Sequence, residues 1–95
     1  MARLSDDAIA RELARVPEWE RAGDEIVRTI QLSSFPAVIA LVDQIAALAE
    51  AADHHPDIDI RYRTIRLALT THAEGGLTGK DFEMAGRIEA LSRSG

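Results

Sequence analysis

The sequence predicts an α+β fold: two layers, a four-stranded antiparallel sheet with three helices on one face, in the order α-β-β-α-β-β-α. Three observations lead there. Two regions, Trp19–Leu32 and Ile58–Thr70, each hold a pair of short segments that alternate apolar with polar residues, the period of a half-buried strand. The segment between them and the two ends space apolar residues at i, i+3, i+4 and i+7, the period of a helix lying on a core. Hairpins separated by a helix favour an antiparallel sheet covered on one side.

Each element has its own signals. Ser5 is an N-cap followed by Asp6 and Asp7, which suit the positive end of a helix; Leu4 and Ile9 stand at staple positions. Ile9, Leu13 and Val16 make that helix's apolar stripe, and Pro17 is expected to end it. Trp19–Ala22 and Glu25–Leu32 form the first strand pair around Gly23-Asp24, with Ile26, Ile30 and Leu32 on one face and Arg28 interrupting it. Ser33 or Ser34 caps the main helix, with Pro36 in the first turn, where its missing N–H does no harm. Val38, Leu41, Val42, Ile45, Leu48, Ala49 and Ala52 share its buried face; the helix is expected to run to about Ala52, with Pro56 closing it. Ile58, Ile60 and Tyr62 alternate with Asp59 and Arg61 in a third strand. A tight connection near Tyr62-Arg63 leads to a fourth, with Ile65, Leu67 and Leu69 inward and His72 at its end. Gly75-Gly76 is a loop. Thr78 caps the last helix, Asp81 completes a capping box, and Leu77 with Phe82 supplies the staple.

The totals bound the class. Ninety-five residues make a single domain, 1–95, with a modest core, so a homodimer or homotetramer is expected. A formal charge of −5 without a basic face argues against nucleic acid as a partner. There is no cysteine, hence no disulfide framework or thiolate metal site. No apolar run is expected to approach the length of a membrane span and the N-terminus lacks a signal-peptide core, so the expected localisation is cytoplasmic, without membrane attachment.

The chemistry-bearing residues fall between Glu50 and Asp81. Glu50 and His54 are four apart, so they share a face if the helix persists through its last turn. His54-His55-Pro56 places two imidazoles at a rigid corner. His72 points with polar neighbours by strand counting. Asp81 is explained by its cap, which leaves its second oxygen able to orient a histidine. The spacing does not favour a metal site, since no His-x-x-x-His occurs on a helix. No nucleophile elbow or phosphate-binding loop is present. Proton transfer remains, because imidazoles titrate near about pH 6.5, so one can donate while another accepts.

Glu50, His54-His55-Pro56, Tyr62, His72 and Asp81, in this spacing, resemble the signature of the pterin-4a-carbinolamine dehydratases. Thr70-Thr71-His72 with Gly75-Gly76-Leu77-Thr78 resembles the family too. Ile58 and Asp59 stand where animal members carry aromatic residues. The resemblance implies dehydration of a 4a-hydroxytetrahydrobiopterin to the quinonoid dihydropterin, in tetrahydrobiopterin recycling, with no cofactor. It implies His54 and His72 as the acid–base pair and His55, with Pro56, binding the small-molecule pterin. Glu50 would hold substrate or tune His54, and Asp81 would orient His72. The rival expectation is a non-catalytic pterin-binding or protein-interaction module.

Overall fold

A computed structural model of the protein describes residues 2–94. Its elements are α1 (Asp6–Leu13), β1 (Glu20–Ala22), β2 (Glu25–Gln31), α2 (Phe35–Ala52), β3 (Asp57–Arg61), β4 (Thr64–Leu69), a 3₁₀ turn (His72–Glu74) and α3 (Gly79–Ser94). The predicted order and class hold. The four strands form one antiparallel sheet in the order β1-β2-β4-β3.

Register explains which face is covered. Ile26 lies opposite Leu69 and Ile30 opposite Ile65, so they and Leu67 project to one side. There they form a single core with Ile9 of α1, Val38, Leu41 and Ile45 of α2, and Phe82, Met84, Ala85 and Ile88 of α3. Thr29, Arg66 and Asp59 project to the other side and are exposed. Contrary to the expectation that no apolar run approaches that length, Phe35–Ala52 is long and apolar enough to cross a membrane by length and composition. In this fold it seats Val38, Leu41, Ile45 and Ala49 against the sheet layer.

Several boundaries move, each for a local reason. The stripe of α1 was expected to run through Val16 to Pro17. The α-helix stops at Leu13, and tighter bonds follow, Arg15 N–H to the Glu12 carbonyl and Val16 N–H to that of Leu13. Proline disfavours helical geometry at the residue before it, so the chain turns early while Val16 and Trp19 still reach the core. Trp19 precedes β1 rather than opening it. Tyr62 leaves β3 for the two-residue turn, where it adopts a left-handed φ of 52° and is 72% exposed.

Arg28 does not break the inward face of β2; it uses it. Its Nε donates to Glu89 Oε1 of α3 at 2.7 Å, and the Trp19 indole N–H donates to the same oxygen at 2.9 Å. Glu89 is 3% exposed. A buried carboxylate is tolerable only with such partners. This polar link ties β2, the segment before β1 and α3 together.

Two end structures set up the site. α2 closes on Asp53, not on Pro56. Asp53 is left-handed (φ 50°), its N–H reaches the Glu50 carbonyl, and the His54 N–H reaches back to Ala49 at 3.1 Å. These are the paired bonds of a Schellman ending, with aspartate in the place glycine usually fills. At the other end of the site, β4 stops at Leu69 and His72 opens the 3₁₀ turn instead of ending the strand. The N-terminal segment clamps that loop: Leu4 N–H donates to the Leu77 carbonyl at 2.8 Å, and a Cβ on Gly76 would lie 2.5 Å from Arg3 Cδ.

Candidate active site

The site is organised by Asp81, which is fully buried at the third position of α3. The capping box forms as expected: the Thr78 N–H donates to Asp81 Oδ2 at 2.9 Å, and Thr78 Oγ1 accepts from the Lys80 N–H at 3.2 Å. The Thr71 hydroxyl also donates to Oδ2, at 2.9 Å, and lies 2.8 Å from the Thr78 hydroxyl. Oδ1 is left for one partner, His54 Nε2, at 2.6 Å.

That pairing revises two expectations. Asp81 holds His54, and not His72. Glu50 meets His55 Nε2, at 2.6 Å, and not His54. The reason is the Schellman ending. Its left-handed residue stops the helix one step before His54, so Glu50 and His54 never share a continued helical face. His54 is turned toward the start of α3, and His55 comes back toward Glu50. The two pairs differ in setting. The His54 side chain is 11% exposed against a buried carboxylate, whereas His55 and Glu50 are largely in solvent. The His55–Glu50 contact therefore contributes little to stability.

A carboxylate only accepts hydrogen bonds, so His54 Nε2 carries the hydrogen it shares with Asp81. The tautomer is thereby set, and Nδ1 is the nitrogen left to exchange a proton with a ligand. Among the described residues nothing hydrogen-bonds Nδ1. His72 is exposed and follows Thr71 directly, so the residue beside it shares the carboxylate that fixes His54. Pro56 holds the corner between His55 and β3. Among the described residues no three His, Asp or Glu side chains converge in a group that could hold a metal ion.

Thr71 is the residue that pattern reading passed over. A threonine just past a strand gives no signal of its own; its place is set by the Thr71–Gly76 bridge that brings it onto α3. Thr71→Val keeps the shape and removes one donor from a buried carboxylate. The expected loss is about 1–3 kcal/mol of stability. Turnover should fall while KM changes little, and Thr71→Ser should recover both; chemical denaturation and steady-state kinetics read the two effects.

Beside His54 a cleft of about 400 Å³ opens between the end of α2 and α3. The volume is in the range of small-molecule sites.

Comparison with known proteins gives the family. Residues 2–91 match the family model of pterin 4 alpha carbinolamine dehydratase. A protein of Nocardia farcinica named for that dehydratase is 58% identical, covering 95% of both chains. One from Chloroflexus aurantiacus, named likewise, is 58% identical over 96% of this chain and 98% of its own. The solved structure of a transcriptional coactivator/pterin dehydratase from Brucella melitensis superposes with a TM-score of 0.90 at 28% identity, covering 94% of this chain and 97% of that one. With the whole site inside the matched residues, the chain belongs to the pterin 4 alpha carbinolamine dehydratase family.

Proposed function

We propose that the protein is a hydro-lyase that dehydrates a 4a-hydroxytetrahydropterin, of which the tetrahydrobiopterin derivative is the reference substrate, by acid–base catalysis from His54 and His72. The observation that supports it most is the buried Asp81 locking Nε2 of His54. That bond leaves Nδ1 as a defined atom for proton transfer, which an acid–base group needs.

In the reaction one imidazole protonates the 4a hydroxyl. The C–O bond breaks, water leaves, and the ring-nitrogen lone pair forms a C=N bond. The second imidazole takes the proton from that nitrogen, giving the quinonoid dihydropterin. The net change is loss of one water, and no electrons are exchanged. His54 acts through Nδ1, with Asp81 holding the ring and offsetting the charge of its protonated form. His72, exposed, reaches the other side of the substrate. His55, oriented by Glu50, and Pro56 contact the pterin. Such a product is one that a pterin-recycling reductase consumes, so a role in tetrahydropterin recycling, in the cytoplasm, belongs to the same proposal.

A homodimer or homotetramer belongs to the same reading. Phe35, Ile39, Ile58 and Tyr62 are large apolar residues left exposed, and β3 is an open sheet edge.

The test is direct. Freshly generated carbinolamine should lose water many times faster with the protein than in buffer alone, followed by absorbance of the quinonoid product. A rate equal to that of buffer, from protein shown to be folded, would leave a non-catalytic binding module as the better account.

A further inference from the structure

The cleft beside His54 has a composition that the dehydration chemistry does not use. Its apolar part is Ala51 and Ala52 of α2 with Met84 of α3; its charged part is Lys80, Glu83 and Arg87. The chain as a whole is acidic, at −5, yet here two cations stand against one anion. Lys80 is the second residue of α3, in the turn where the helix dipole disfavours positive charge. Glu83 turns to Arg87, at 2.9 Å, and the Lys80 ammonium has no side-chain partner among the described residues. Both cations are exposed. Lys80 is thus an unpaired cation at the mouth of the cleft, free to meet a ligand. An incoming anion is the partner that fits, since the same helix end that repels Lys80 attracts negative charge.

We infer that this cleft takes the side chain of the pterin and favours one that ends in an anionic group, a phosphate ester or a carboxylate. The inference rests on the dehydratase reading for the position of the ring at His54. The ring lies by the imidazoles, the linker crosses Ala51, Ala52 and Met84, and the terminal anion meets Lys80 and Arg87. Methionine suits a linker of variable shape, being flexible and polarisable.

Calorimetry with three stable dihydropterins tests this: one with a neutral polyol side chain, one with the same side chain as its phosphate ester, and one bearing a benzoylglutamate tail. The protein should bind at least one anionic form roughly tenfold or more tightly than the neutral form at low salt, and the preference should shrink as salt rises. Lys80→Gln should cut the preference several-fold, Lys80→Gln with Arg87→Gln should abolish it, and Lys80→Arg should keep it. A preference for the phosphate ester assigns a phosphorylated side chain; one for the benzoylglutamate assigns a carboxylate tail. Equal affinities for all three, or a preference undiminished in the double variant, overturns the inference. Turnover of the neutral carbinolamine separates the two readings. Turnover with flat affinities removes only the anion site, while an anion preference without turnover removes only the dehydratase.

Discussion

Replacing His54 with glutamine is expected to lower the turnover number for the carbinolamine by about two to four orders of magnitude, the usual worth of a positioned acid or base. Glutamine is the informative choice. Its amide nitrogen falls near the place of the imidazole Nε2 and can still donate to Asp81, so the buried carboxylate keeps a partner, but an amide cannot serve as a proton-exchanging acid or base. His54→Ala removes the same chemistry and also leaves Asp81 Oδ1 short of a bond in a buried site, so it should cost about 1–3 kcal/mol of stability in addition. His72→Ala should match the kinetic loss with no such penalty, because His72 is exposed; its stability should stay within roughly 0.5 kcal/mol of the parent. Stopped-flow rates beside urea unfolding separate the effects. Rates within threefold of the parent for both His54→Gln and His72→Ala would sink the acid–base assignment.

The second large effect is on the fold. Glu89→Ala should lower unfolding free energy by about 3–5 kcal/mol, as expected for removing one partner of a buried ion pair. Glu89 accepts from both Arg28 and Trp19 through one oxygen. Without it, a guanidinium that is only 22% exposed faces an apolar core, and the indole N–H is orphaned. For a chain of this size the melting temperature should drop by roughly 12–40 °C. Glu89→Gln should cost less, since the amide oxygen still accepts, though without the charge. A double variant, Arg28→Met with Glu89→Leu, should recover much of the loss, because replacing a buried pair by apolar groups of similar volume is often close to neutral. Calorimetric melting checks all three. An alanine variant that melts within a few degrees of the parent would show that the link contributes little.

The residues show how far local pattern reaches. The cap at Thr78, Asp81 at its third position, the staple of Leu77 and Phe82, the span of α2 and the tight turn at Tyr62-Arg63 are all set within a few neighbours, and all were legible. Arg28 was seen as an anomaly on an apolar face, but its partner lies 61 residues away and no periodicity names it. The histidine pairings were misassigned because Glu50 and His54 were paired as if the last turn of α2 continued, whereas the left-handed Asp53 ends it.

From its order of residues alone this chain determined its element types, its caps, its fold class and the set of groups able to move protons, since each depends on bonds or periodicities spanning a turn or two. Which imidazole Asp81 grips, which one Glu50 meets, and what Arg28 and Thr71 touch were decided only by tertiary packing. The physical reason is one backbone conformation: Asp53 in the left-handed region redirects everything after it, and contacts across 27 residues then depend on how α2 and α3 seat on the sheet.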